Sequence, residues 1–505
     1  MVNIAPTGKL YARYKACLQE IADVRYAIAV LQWDQETYMP AKGSRYRAQQ
    51  VATLSETAHK LFTAKKTGRL LQTLAERDDL SEPERHNIRL SLYDYNKLKK
   101  LPASFVRAMS EAVSKSYQYW VEAKQTNSFS VFQNSLDKLI HLKRREADQL
   151  GYEGHPYNAL LNEYEKGATV PFLDAVFSTL QQPLIELLRK VGRQPQVNDA
   201  FLQKHFPGHL QWQFGLDLIK QLGFDFEAGR QDVSEHPFTT SFSSHDVRVT
   251  TRIHENDFSS MCWSCIHEAG HALYEQGLPG EAYGLPLGEY ASLGIHESQS
   301  RLWENNVGRS LGFWQHNFPL LQTRFPEQFS GVDPVHFYRA INKVTPSLIR
   351  TEADELTYHF HVIIRYELEK KLIEGAVETK DIPAYWNELY EQYLGIRVPD
   401  DRNGCLQDVH WSHGSFGYFP TYSLGSLYAA QFFGTAGHQL PALAETIENG
   451  DLVPLLNWLR TNIHQYGRRY TSEELCTRIT GEPLNSSYFL QYATEKYRNI
   501  YNFTD

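Results

Sequence analysis

Cysteine is scarce in this chain: five in 505 residues, at positions 17, 262, 265, 405 and 476. An odd, sparse set builds no disulfide framework and points to reduced thiols in an intracellular setting. Cys262-Trp263-Ser264-Cys265 has C-x-x-C spacing. The second pair needed for a structural zinc site is missing, and so is the strand-to-helix context of a redox motif. These thiols are expected in the core, leading into the helix that follows. Long apolar runs are absent too. Ala27 to Leu31 is apolar but stops at Gln32, far short of the roughly 20 residues that cross a bilayer. The opening residues, Met1 to Gly8, show no basic segment followed by an apolar run, so no secretory signal is expected and a cytoplasmic location is. Positive charge is not in excess: 51 Lys and Arg stand against 59 Asp and Glu, a net charge of −8. That balance, without basic clusters along the sequence, argues against nucleic acid or a membrane surface as partner. No internal repeat or low-complexity linker divides the chain.

What is present reads mostly as helix. Tyr14, Cys17, Leu18, Ile21, Val24 and Ala27 follow three-and-four spacing, the mark of one buried helix face. Phe132 to Leu142, Phe172 to Val191 and Leu356 to Ile373 repeat it. Ser81-Glu82-Pro83-Glu84 carries a helix-start signature, with a Ser cap, early Pro and acid in the first turn. One region differs. His236 to Phe242 and Val247 to Ile253 alternate and are β-branched, which predicts a small hairpin. Val247, Val249, Thr251 and Ile253 would face one side, and Arg248, Thr250 and Arg252 the other. An edge strand here could bind extended peptide by added-strand pairing; a purely structural hairpin is the alternative.

Directly after the hairpin comes Ile266-His267-Glu268-Ala269-Gly270-His271, an H-E-x-x-H pattern in a helical run. Residues four apart share a helix face, so His267 and His271 can both present a ring nitrogen to one metal ion. Glu268 can face the water of that ion without ligating it. Zinc with an open coordination position lowers the pKa of bound water, and a neighbouring carboxylate can take the proton. This is the arrangement of a zinc peptidase. The bland alternative is two histidines on a buried face, satisfied by carboxylates. A catalytic zinc needs a third protein ligand. Glu297, in Gly294-Ile295-His296-Glu297-Ser298-Gln299, follows His271 with 25 residues between them, room for a turn and a second helix. His296 competes for the role, but on a helix it would point about 100° away.

Five patterns stand in order: Asp246-Val247-Arg248-Val249-Thr250, the His267 to His271 motif, His296-Glu297-Ser298-Gln299, Ile349-Arg350-Thr351-Glu352-Ala353-Asp354, and Gly404 to Trp411, which reads G-x-x-Q-D-x-H-W. With them the chain resembles the carboxypeptidase Taq family of metallocarboxypeptidases. Trp33 to Pro40 and Tyr157 to Glu165 extend the likeness over most of the chain. The resemblance implies a mainly α-helical zinc-metallopeptidase fold with a small sheet beside the active-site helix. It implies one catalytic domain over 1–505, with two lobes flanking a deep groove, and a homodimer.

An enzyme acting at a peptide C-terminus needs a cation for the terminal carboxylate, and the planar fork of Arg suits it. Candidates are Arg248, Arg252, Arg350 and Arg402. The family pattern favours Arg350, with Arg248 second; a local pair of Arg350 with Asp354 is the alternative. For the oxyanion the best donors are His410 and Tyr422, with His413 and Tyr418 as rivals and plain aromatic packing as the other reading. Gln407 is a candidate for the substrate main chain, and Asp408 or Asp354 for orienting a ligand histidine. Together these lead to a metal-dependent carboxypeptidase of broad specificity. It would hold zinc, with cobalt able to substitute, through His267, His271 and Glu297. It would use Glu268 as base and act on peptides with a free C-terminal carboxylate. Competing readings are an endo- or oligopeptidase of the same class and an inactive peptide-binding homologue.

Overall fold

In the computed structural model, which describes residues 6–504, the chain is a stack of α-helices around one three-stranded sheet. Residues 1–5 of the opening segment lie outside the described residues. The expected helices form: Thr7–Thr37, Phe129–Leu150, Val170–Gly192 and Tyr358–Glu374. Ser81 and Glu84 make a reciprocal capping box at the start of Glu82–Lys99, satisfying two orphan donors at once. No helix is long and apolar enough to cross a membrane among the described residues.

The hairpin is real, with strands β2 (Thr239–Ser243) and β3 (Asp246–Thr251) antiparallel. The sequence reading missed a third strand, β1 (Gly229–Val233), which pairs parallel with β3. Its polar sequence, Gly-Arg-Gln-Asp-Val, carries no strand signal of its own. The order β1-β3-β2 makes β3 the central strand and leaves β1 and β2 as the two edge strands. Val247, Val249 and Thr251 are buried as expected, but Thr250 is buried as well.

Most helices share one continuous core built around the sheet and the helix Phe258–Gln276. The N-terminal helices form a smaller core of their own, with Leu10, Tyr14, Leu18, Phe62 and Tyr95 packed together and Leu285 reaching in from the later chain. A cleft of about 960 Å³ has residues of both among its walls. Cys262 and Cys265 are buried thiols in the first turns of Phe258–Gln276, as the sequence predicts.

Candidate active site

The H-E-x-x-H motif sits mid-way along the helix Phe258–Gln276, which Asp257 caps through the Ser259 N–H. Glu297 lies on the helix Leu293–Arg301, capped by Ser292. Two glycines let these elements meet. A Cβ on Gly270 would fall 2.6 Å from Ser300 Cα, and one on Gly425 would fall 2.4 Å from Glu297 Cγ. The Glu297 helix is thus wedged between the histidine helix and the helix Pro420–Gln439, at distances only glycine permits.

His267 Nε2 is 3.8 Å and His271 Nε2 is 3.6 Å from Glu297 Oε2. Tetrahedral zinc with bonds of about 2.0–2.1 Å separates its donors by about 3.3 Å, so the trio is slightly wider than a loaded site. The other atom of each ligand is occupied. His267 Nδ1 donates to Glu304 Oε2 at 2.9 Å. Glu297 Oε1 accepts from Arg301 Nε at 2.7 Å. His271 Nδ1 lies 2.6 Å from His296 Nδ1, and His296 Nε2 lies 2.8 Å from Glu275 Oε1. With Nε2 of His271 turned to a metal, its Nδ1–H donates to His296, which donates in turn to Glu275. Each ligand therefore has one atom left over, and the three left-over atoms converge within 4.8 Å of one another. That donor set fits a divalent ion. Burial, with His296 and His267 adding to it, holds His271 well below the usual histidine range, so it stays a neutral ligand.

The partners that orient the ligands are not the ones the sequence suggested. Asp354 accepts from the Leu356 and Thr357 N–H groups in the turn before the helix Tyr358–Glu374, and Asp408 is held by two arginines. Glu304, Arg301 and Glu275 do the orienting. Glu275 was legible, four residues beyond His271 on the same face. Arg301 stands in the same relation to Glu297. Glu304 was not, because the chain turns π-helical from Leu302 to Gly308 and the usual phase is lost.

Glu268 is buried beside the trio. Its Oε2 accepts from Thr239 Oγ1 at 2.6 Å, and the same hydroxyl reaches the Glu268 carbonyl at 2.9 Å. Burial pushes its carboxyl up, against the pull of His267 and Thr239 and with the help of Glu297. Tyr422 lines the cleft near the trio with Tyr418 and Thr421. Its hydroxyl lies 3.1 Å from His410 Nε2, so His410 stands one step behind it. Burial and the Arg350 charge bring the His410 imidazole down to about 3, and burial beside Tyr418 holds the Tyr422 phenol well above its ordinary value. Tyr422 is thus a neutral O–H donor. His413 stacks on Tyr117 instead.

Arg350 forms no pair with Asp354. Its Nε and Nη2 reach Asp408 Oδ1 at 3.0 and 2.9 Å, and its Nη1 donates to Tyr358. Arg365 takes Asp408 Oδ2 at 2.6 Å. Two buried guanidiniums share one carboxylate, and their charges outweigh burial to hold Asp408 far below its usual range. The Arg350 guanidinium lies 4.8 Å from the Tyr422 ring, behind the cleft wall rather than on it. Two other candidate substrate residues are engaged within the protein. Arg248, on central strand β3, is bound by Asp246 and stacked on Trp33 and Phe242; it does not face the cleft. Gln407 is used internally: Oε1 accepts from the Arg350 N–H and Arg365 Nη2, and Nε2 donates to the Leu348 carbonyl. Arg252 pairs with Glu235, and Arg402 caps carbonyls of Lys124 and Gln125.

A helical body carrying an H-E-x-x-H helix, a Glu on a second helix and a sheet edge alongside is the architecture of a metallopeptidase. The model of the carboxypeptidase Taq (M32) metallopeptidase family matches residues 13–497, and the chain belongs to that family of peptide-bond hydrolases. Carboxypeptidase 1 of Bacillus subtilis is 40% identical over 488 residues, 96% of this chain and 97% of that one. The solved M32 carboxypeptidase of Deinococcus radiodurans R1 superposes with a TM-score of 0.96 at 40% identity, covering 98% of this chain and 100% of the other. A further solved structure, named CHT, is 60% identical, with a TM-score of 0.95 over 97% of this chain and 99% of that one.

Proposed function

We propose that the protein removes single residues from peptide C-termini, as a zinc carboxypeptidase of broad specificity built as one catalytic domain with two lobes. The observation that carries this is the convergence of His267 Nε2, His271 Nε2 and Glu297 Oε2 beside a buried Glu268. A divalent ion held there supplies polarisation of the scissile carbonyl and activation of water. Glu268, with its carboxyl raised by burial and fixed by Thr239, takes the proton and returns it to the leaving amine. Tyr422 donates its O–H to the developing oxyanion, with His410 fixing the direction of that hydroxyl.

Support for broad specificity comes from strand β2. Its free edge offers main-chain groups to an extended peptide, and its cleft-lining residues, Thr239, Thr240 and Ser241, are small and polar. Such a wall reads backbone rather than side chain. Support for a carboxylate anchor comes from charge. Arg350 and Arg365 outnumber Asp408, which leaves one buried positive charge beside Tyr422 for a terminal carboxylate to neutralise. An endopeptidase of the same class is the reading that the withdrawn position of Arg350 favours.

Mass spectrometry of a mixed peptide digest, with and without chelator, tests the proposal. One-residue ladders from the C-terminus that vanish with chelator support it. Internal cuts, or equal cleavage of acid and amide peptides, point to the endopeptidase. Release of nothing leaves only the inactive homologue.

A further inference from the structure

Strand β2 grips the helix Phe258–Gln276 at two points, and the proposed mechanism uses one of them. Residues two apart on a strand share a face, and residues seven apart on a helix lie two turns along nearly the same line. Thr239 and Ser241 stand in the first relation on β2, Glu268 and Glu275 in the second on the helix. The two hydroxyls meet the two carboxylates. Thr239 Oγ1 donates to Glu268 Oε2 at 2.6 Å, and Ser241 Oγ donates to Glu275 Oε2 at 2.7 Å. The first contact fixes the base. The second lies outside the proposed chemistry.

Beyond Glu275 the bonds lead to the metal trio. Glu275 Oε1 accepts from His296 Nε2 at 2.8 Å, and His296 Nδ1 lies 2.6 Å from His271 Nδ1. With His271 Nε2 kept for a metal, the protons fall in one order. His271 Nδ1–H donates to His296, His296 Nε2–H donates to Glu275, and the Ser241 O–H donates to the other oxygen of the same carboxylate. Glu275 thus ends a file of donors that begins on the ring of a ligand. Ser241 and Glu275 line both the main cleft and an adjoining pocket of about 280 Å³. Without the Ser241 hydroxyl, the Glu275 carboxylate keeps the His296 bond and gains open space to turn into. A carboxylate that turns loses its line on His296, and His296 its line on His271. Ser243, further along β2 and also lining the adjoining pocket, is engaged elsewhere: its Oγ accepts from the His245 N–H at 3.1 Å.

We propose that Ser241 is a positioning residue for the metal. Through Glu275 and His296 it fixes the ring of His271, so the strand that would receive peptide also sets how tightly the ion is held. This rests on the metallopeptidase reading above and adds to it a residue outside the H-E-x-x-H and Glu297 motifs.

The test reads metal affinity rather than turnover. Apo-protein competes with a chromophoric chelator for Zn²⁺, and the Co²⁺-loaded protein is followed by its visible absorption. Ser241→Ala is expected to weaken Zn²⁺ binding about three- to tenfold, less than the roughly 10- to 100-fold of a direct partner of a ligand histidine, and to shift the cobalt bands. Ser241→Thr keeps the hydroxyl in the form β2 already uses at Thr239 and is expected to restore both. Ser243→Ala is expected to change neither. A double-variant cycle then separates the relay from local packing. His296→Ala cuts the relay, so adding Ser241→Ala to it costs nothing further. Glu275→Ala is a second such background, and thermal melting of the metal-free proteins shows which of the two is folded. Unchanged affinity in Ser241→Ala overturns the proposal. An equal loss in Ser241→Thr or in Ser243→Ala overturns it too, and so does a Ser241→Ala loss that survives in full once the relay is cut. Wild-type protein that binds no ion overturns the metal site itself, whereas one ion per chain held with an affinity indifferent to Ser241 overturns only this inference.

Discussion

Glu304 is where the metal site is most exposed to a single substitution. Its Oε2 accepts from His267 Nδ1 at 2.9 Å and from Arg301 Nη1 at 3.3 Å, while its Oε1 accepts from Arg309 Nη2 at 3.0 Å. All of its neighbours are donors. Arg301, His267 and Arg309 together hold it far below the usual carboxylate range in spite of burial. Glu304→Gln keeps the shape but must turn an NH₂ toward one of these donors. The cost is a lost charge-assisted bond, about 1.5–3 kcal/mol. If the amide oxygen stays with His267, the ring keeps its tautomer but loses basicity; if it turns to Arg309, the ring loses its orientation. Both weaken the metal, by roughly 10- to 100-fold as for other carboxylates behind a ligand histidine. Competition of the apo-protein against a chromophoric chelator measures this directly, and thermal melting of the metal-free protein measures the fold separately. His296→Ala is the companion. Sequence reasoning expects it to spare the metal, since Glu297 is the ligand. The 2.6 Å contact with His271 instead predicts a loss of affinity on the same scale, with one ion per chain still bound at saturation. If both variants bind metal with wild-type affinity, packing alone orients the ligands and the reasoning fails.

Three further outcomes are expected. Glu268→Gln keeps metal and peptide but loses on the order of 100- to 10,000-fold in kcat; a variant above about a tenth of wild-type rate removes Glu268 from the base role. Arg350→Ala lowers kcat/KM for a free-acid peptide toward that of its amide, by the equivalent of about 2–5 kcal/mol, at tenfold per about 1.36 kcal/mol. Persistence of the preference moves the anchor elsewhere. Glu369 accepts from Tyr157 Oη at 2.5 Å, Trp411 Nε1 at 2.8 Å and the Gly417 N–H at 2.8 Å, and burial raises its carboxyl from 4.5 to about 7. The unfolded chain therefore sheds this proton at lower pH than the folded one, and stability falls as pH rises from about 4.5 to about 7. Glu369→Gln removes that group's share, on the order of 3 kcal/mol, while the slope owed to Glu165, also raised to about 7, persists; an unchanged denaturation-versus-pH curve contradicts it.

The helical body was legible because buried helix faces impose a period on the sequence. Tyr14, Leu18 and Ile21 are within the N-terminal core, and Phe132, Leu136 and Ile140 are in the main one. The trio was legible because two ligands share a helix face and the third follows at the distance of one turn and a second helix. What escaped was set by partners far along the chain. Strand β1 exists because β3 offers it an edge, not because Gly-Arg-Gln-Asp-Val prefers to be extended. Arg248 looked like a substrate residue while β3 was taken for an edge; a third strand turned β3 inward and left β2 to face the cleft. Gln407 and Asp408 sit in a motif that invites a substrate role, yet their polar atoms are consumed by Arg350 and Arg365. A motif names residues that matter, but the number of free donors and acceptors decides whether they touch substrate or hold what does.

The same count explains the layout around Arg350. A guanidinium buried against one carboxylate and one phenol would be near neutral in its surroundings and would need nothing more. Here Arg365, fully buried, has already claimed Asp408 Oδ2. Asp408 cannot balance both, and His410, kept neutral by burial and the Arg350 charge, adds no compensation. Glu369, accepting from Trp411 Nε1 and the Gly417 N–H, fixes both ends of the segment that follows His410 without lending its charge to the arginines. One positive charge is left over at the point where Tyr422 separates Arg350 from the cleft. An uncompensated buried charge is costly to the folded enzyme, and a carboxylate arriving with the substrate relieves that cost only when it reaches this place. On this argument the selectivity for a free C-terminus lies less in a preformed grip than in a charge the protein leaves unbalanced until peptide arrives.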